Sequence, residues 1–359
     1  SVYGSFTLTD NMTLSGVSPI NFKSTSAGNT IAFSGHSSSR SINFDGIGGV
    51  WDMQDSIILT DWLNGFYLDE GTINTNGYTI QSGDFILSNS SAINLSSSNI
   101  IVRRLFSFYG NVNAGTSTIY LRLHVQGNSQ YNGVLLNNLI NETTINTNYT
   151  IQGGSYNKII QRGTPLKLAN NTNADSVIVE SEKTLELSGT VTVNNYLEIN
   201  GSCSLLCNLI GPGTLSSATG NIAVNYANIE NVTATGGASF LANDSYDLGG
   251  NSGWTINSSS SIDYYWVGDG GSWNDGTHWA LTSGGVGSGC VPSINDDVYF
   301  DANSFSSSGQ TVIISSVVAS CKSMDWTGVT NSPTFDISNE LSVYGSFTLT
   351  DNMTLSGVS

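Results

Sequence analysis

Between Tyr264 and Phe305 the sequence gathers side chains that could do chemistry. Tyr264, Tyr265, Trp266, Trp273, His278 and Trp279 lie close together, and three of the chain's seven tryptophans fall in this short run. Aromatic faces stack on the apolar faces of sugar rings, so a glycan-binding platform is one reading. The other is a plug, because the open end of a strand stack exposes unpaired edges and core side chains that bulky aromatics would cover. The spacing favours the plug, since the aromatics begin where a strand pattern stops. Asp269, Asp275, Asp296, Asp297 and Asp301 add five carboxylates to the same stretch. Oxygen ligands at that density could hold calcium. Their spacing matches neither the EF-hand loop nor the Gly-rich nonapeptide of calcium-binding solenoids, so capping of turns is the competing role. SGGVGSG, at 283–289, has the glycines of a phosphate loop without the following Lys-Ser/Thr, and reads as a turn.

The four cysteines divide into two pairs. In GSCSLLCNLI, strand alternation puts Cys203, Leu205, Cys207 and Leu209 on one face, which predicts buried thiols. Cys290 and Cys321 have no partners at metal-ligand spacing and are the candidate disulfide, if the compartment is oxidising. Catalysis needs more than these residues offer. A glycosidase needs two carboxylates across the scissile bond, and a lyase needs a cationic or metal-assisted groove. His36 lies in a Ser-rich turn, His124 alternates along a strand-like run, His278 belongs to the tryptophan cluster, and no acidic group joins them on adjacent turns. The expectation is that the chain is not an enzyme. Rows of Thr suited to ice do not recur from turn to turn.

The elements that position these residues are short strands. SFTLT, IIVRRLF, VIVES and TVIIS alternate apolar with polar side chains between clusters of Asn, Gly, Ser and Asp. No convincing amphipathic helix is present. The 35 aromatic residues (15 Tyr, 13 Phe, 7 Trp) argue against disorder. NG and DG hairpin signals are few, and Ser- or Asn-rich corners suit parallel strands, so the fold class predicted is all-β, a right-handed parallel β-helix (β-solenoid) rather than a sandwich. TINTNGYTIQSG at Thr72 returns as TINTNYTIQGG at Thr144, an offset of 72 residues that equals three coils of about 24 residues. A net charge of −17 with ten scattered Lys and Arg residues predicts no nucleic-acid partner. No apolar run in this portion reaches the length of a membrane helix.

The last eighteen residues, Ser342 to Ser359, repeat Ser1 to Ser18 without a mismatch, a period of 341 residues. The chain starts and stops inside a strand-like run, as expected of a piece cut from a tandem array. The pattern predicts a β-helix over 1–255, a linker at 256–263, a Trp-rich junction or capping module at 264–310, and the start of the next β-helix at 311–359.

WVGDGGSWNDGTHW, VPSINDDVYFDANSF and SCKSMDWTG resemble a block of very large secreted tandem-repeat proteins of gram-negative gliding bacteria. GSW…HW is also similar to the start of passenger β-helix repeats of autotransporter adhesins, and YANIENVTATGGASFLANDSYDLGGNSGWTI to the closing turns of such helices. The resemblance covers about a third of the chain. It implies an extracellular or cell-surface fibrous adhesin exported by a dedicated system, with neighbouring copies of the repeat as partners and no catalytic residue carried over. Glycans remain the alternative partner, and calcium is the single candidate cofactor. The bacterial resemblance also implies O-glycosylation at Asp-Ser/Thr-aliphatic sites, which Ser56 and Ser176 match.

Overall fold

The computed structural model describes residues 1–123, 128–130, 135–145, 149–314 and 319–357; His124 lies outside them. Among the described residues, regular structure is β-strand except for one 3-10 turn, Gly276–His278. No helix among them is long and apolar enough to cross a membrane. The chain folds as two compact units. The first holds Ser1–Asn200, Cys207–Ala242 and Asp247–Thr255; the second holds Gly201–Leu206, Asn243–Tyr246 and Ile256–Ser359.

The first unit is a parallel β-solenoid. Strand Ile42–Met53 pairs in parallel with Phe66–Asn74, which pairs with Ile80–Leu87, which in turn pairs with Asn99–Phe108. Alternation drives this: residues of one parity point inward and stack on their equivalents one coil away. Ile42, Phe66, Phe85 and Phe106 form one such buried row. Ring centroids along the core are 4.8 Å apart for Phe22 and Phe44, 5.3 Å for Phe44 and Phe66, and 5.2 Å for Phe66 and Phe85.

Coils are shorter than the sequence echo implied. The row Ile80, Ile100, Ile119, Leu139 and Ile159 advances by 20, 19, 20 and 20 residues. The offset of 72 is therefore not a whole number of coils. Ile151, the counterpart of Ile80 in the echo, pairs instead with Leu168 and stands in a different row. Offsets of 24 do occur, from Ile42 to Phe66 and from Leu185 to Leu209, where the loops around Trp62 and Cys203 lengthen the coil.

Corners carry the residues expected of them. Ser34, Asn76, Ser96, Asn170 and Asn231 hold left-handed backbone, a conformation that short polar side chains tolerate. At Gly71, φ is +87° and a Cβ would meet the Gly49 carbonyl oxygen at 2.7 Å, so glycine is required there. Polar side chains form ladders along the stack: Asn74 Nδ2 donates to Asp52 Oδ1 at 2.7 Å, and Asn94 Nδ2 to Asn74 Oδ1 at 2.6 Å. Arg122, Glu142, Arg162 and Glu180 alternate in sign on successive coils, with N to O separations of 2.7, 3.6 and 3.8 Å.

The second unit differs from the expected division into linker, junction and new helix. Strand Asp263–Trp266 pairs in parallel with Asp297–Tyr299, then Ser323–Asp325, then Phe347–Thr348. Gly271–Ser272, Thr311–Ile314, Thr334–Ile337 and Thr354–Ser356 form a second parallel series. The expected module at 264–310 and the helix start at 311–359 are thus coils of one stack, because Ser306–Gln310 is only a turn between them. The strand-free link shrinks to residues 258–262.

Candidate functional site: the aromatic segment and the repeated end coil

Strand Asp263–Trp266 alternates, so Tyr264 and Trp266 point inward and Tyr265 outward. Trp273 and Trp279 join them in a core with Phe300, Phe305, Trp326 and Phe335. Trp266 is 0 %, Trp273 1 % and Trp279 0 % exposed, so none offers a face to a sugar ring. Two of the indole N–H groups are satisfied within the unit: Trp266 Nε1 donates to the Asp269 carbonyl at 2.6 Å, and Trp279 Nε1 to the Trp273 carbonyl at 2.7 Å. Trp279 packs edge-on against Trp266 at 5.0 Å and Trp273 at 4.7 Å. His278 lies flat on Trp266 at 4.7 Å with Nδ1 2.8 Å from the Val267 carbonyl. Burial, then the Asp296 charge, pushes the Tyr264 hydroxyl up to about 12. Tyr265 is the half-exposed member and stacks on Tyr299 at 5.1 Å. Sequence reasoning missed Phe300, Trp326 and Phe335 as members of this core.

The five carboxylates do not converge. Asp269 accepts from the Ser306 N–H and hydroxyl, and Asp275 from the Thr277 hydroxyl and N–H, which holds both below the usual carboxylate range. Asp296 is buried and accepts from Ser293 and the Ile262 N–H. Asp297 pairs with Lys322 at 3.2 Å, and Asp301 caps the turn at Asn303. No three His, Cys, Asp or Glu residues come together among the described residues in a way that could hold a metal ion. Four of them cap turns and loops and Asp297, on a strand, pairs with Lys322, so the candidate calcium ligands are corrected accordingly.

The cysteine pairing is also corrected. Cys203 bonds to Cys290, S–S 2.02 Å, while Cys207 and Cys321 are free and buried. Cys203 sits in the tight turn closed by Ser202 and Leu205, so strand alternation does not apply to it. Cys321 points into the core from strand Ala319–Cys321 and stays a free thiol, since Cys290, partly buried beside that core, is taken by Cys203. Burial raises the free thiols to about 11 for Cys207 and about 12 for Cys321. Ser56 and Ser176, both half-buried, have engaged hydroxyls: Ser56 Oγ accepts from the Thr79 N–H, and Ser176 Oγ donates to Asp175.

One polar cluster escaped the sequence reading. Asp84, 2 % exposed, accepts from the Tyr67 hydroxyl at 2.7 Å and from Arg104 Nε at 2.7 Å. Desolvation, then the bond to Asp84, raises Tyr67 to about 12. The three residues come from three successive coils, so no sequence spacing marks them. Elsewhere on the first unit, Asn137, Asn157, Asn173, Asp175 and Asn194 line a cleft of about 620 Å³ floored by Leu136 and Tyr156.

The two copies of the repeated segment occupy opposite places. Val2 and Phe6 pair with Phe22 and Ile31, the coil that follows. Val343 and Phe347, their equivalents, pair with Cys321 and Met324, the coil that precedes. Leu8 is 3 % exposed where its equivalent Leu349 is 40 % exposed. Comparison of the chain with known protein families, curated proteins and solved structures returns no match.

Proposed function

We propose that the chain is a non-catalytic structural block of a long extracellular or cell-surface fibre, the shaft of an adhesin, built from 341-residue repeats. The observation that carries this reading is the repeated segment: the same eighteen residues open one stack and close the other, so a block can be followed by itself. Backbone hydrogen bonds between coils run along the stack, and rows of Phe, Ile and Leu hold each coil to its neighbour, which suits a load-bearing rod. The Cys203–Cys290 bond supports an oxidising compartment. The acidic balance keeps neighbouring rods apart. Electron microscopy of the native material tests the reading: uniform filaments with an axial repeat are expected, and isolated globular particles would overturn it.

A second reading, a glycan-binding surface module, rests on the cleft at Asn137, Asn157, Asn173, Asp175 and Asn194, where carboxamides from successive coils could bond to sugar hydroxyls. It no longer rests on the tryptophans. Glycan-array binding that Asn157→Ala and Asn194→Ala abolish would favour it over a purely structural role.

A further inference from the structure

The two copies of the end coil differ in which backbone groups they use, and the difference follows strand parity. In a parallel strand, alternate residues direct both N–H and C=O to one neighbour, and the residues between them address the other. At the start of the chain, Val2 donates to the Asn21 carbonyl at 2.7 Å and accepts from the Lys23 N–H at 2.7 Å, and Leu8 donates to the Ala32 carbonyl at 2.9 Å. At the other end the groups in use belong mainly to the intervening residues, the exception being the Gly345 N–H, which donates to the Lys322 carbonyl. Tyr344 donates to the Cys321 carbonyl at 3.1 Å, Ser346 accepts from Met324 at 2.8 Å, and Thr348 accepts from Trp326 at 3.0 Å. Tyr344, Ser346 and Thr348 correspond to Tyr3, Ser5 and Thr7, so the groups that Val2 and Leu8 use at the start are not among those named at the other end.

We infer that the exposed end of the second unit is the docking edge for residues 19–33 of a further copy of this chain, joined through one shared end coil paired on both faces. This rests on the tandem-array reading and specifies where its joints lie. Val343 takes Phe22 of the further copy, Phe347 takes its Ile31, and the Phe347 ring enters the aromatic row that Phe6 begins with Phe22 at 5.7 Å. The apolar side chains left open at this edge, Phe347 at 42 % and Leu349 at 40 % exposure, are those the next coil covers in the other copy. The repeat seam is therefore continuous solenoid. A continuous stack runs from Asp263 of one copy to Asn257 of the next, and the strand-free residues 258–262 lie inside each copy.

The test compares the 359-residue chain with a tandem in which residues 19–359 follow Ser359. Hydrogen exchange is read on peptides covering residues 342–357, and maleimide labelling on Leu349→Cys in each. In the tandem, the Val343 and Leu349 amides should exchange, and the introduced thiol should label, slower by about tenfold or more, as expected of groups released only by local opening. Equal exchange and equal labelling in the two chains would overturn the docking edge. If Leu349→Cys fails to fold, exchange in the unsubstituted chains decides alone. Filaments in the native material with no protection in the tandem would leave the fibre reading standing and remove this joint; protection without filaments would do the reverse.

Discussion

Asp84 and Arg104 face each other across successive coils, carboxylate to guanidinium, with Asp84 almost fully buried and Arg104 about one third exposed. Together with Tyr67 they tie three coils at one corner. Asp84→Asn keeps the shape and removes the charge, leaving Arg104 unpaired. It should destabilise the first unit by about 3 kcal/mol, the lower end for a broken buried pair because Arg104 keeps some water. Urea denaturation followed by circular dichroism reads the loss, and an unchanged midpoint would show that the pair contributes nothing.

Alkaline pH should loosen both units. Tyr67 and Tyr264 are raised to about 12, Cys207 to about 11 and Cys321 to about 12, each first by burial. A folded pKa above the unfolded one contributes stability that is complete below the unfolded value and lost as pH rises through the folded one. With unfolded values of about 9 for thiols and about 10 for tyrosines, melting temperature should hold up to about pH 9 and fall from there through pH 12. Tyr67→Phe should flatten part of that fall, and a melting temperature constant to pH 12 would contradict the assignment.

Trp273→Ala acts on the second unit's own core rather than on a joint. The side chain packs on Trp279 at 4.7 Å and Phe335 at 6.1 Å, and its removal should cost about 3–5 kcal/mol. Tryptophan fluorescence should report early unfolding of that unit, while exchange protection of Ile80, Ile100 and Ile119 stays at the unsubstituted level. Equal loss of protection there would mean the tryptophan supports more than its own core.

Alkylation of the denatured, non-reduced protein should modify two thiols, Cys207 and Cys321. Peptide mapping should then recover Cys203 joined to Cys290. A Cys290–Cys321 peptide would restore the pairing that sequence spacing suggested.

Much of the fold was legible because strand alternation is local. Ile42 and Phe44, or Leu185 and Leu187, declare their inward parity within a few residues, and Asn76 and Ser96 mark corners by their own chemistry. Coil length was not legible, because loops such as those at Trp62 and Cys203 change it from one coil to the next without disturbing alternation. The partners of Asp84 and Cys290 are set by register across coils, which local sequence does not encode. The boundary placed at 310 failed for a related reason. Ser306–Gln310 has the composition of a linker, but its flanks, Phe300 and Val312, share one core. Of the candidate site, the position of the aromatic cluster was legible and its burial was not, since a tryptophan that covers a core and one that binds a sugar look alike in sequence.

The Cys203–Cys290 bond also sets a path for tension. It closes a covalent ring across a sequence separation of 87, and that ring contains the strand-free stretch 258–262. A pull entering before Cys203 and leaving after Cys290 crosses the sulfurs and bypasses the 86 residues between them, whatever those residues do. At roughly 3.4 Å per extended residue, about 290 Å of chain is held in reserve, released only when the bond is reduced. Oxidised, that strand-free stretch carries no load; reduced, it becomes the slack.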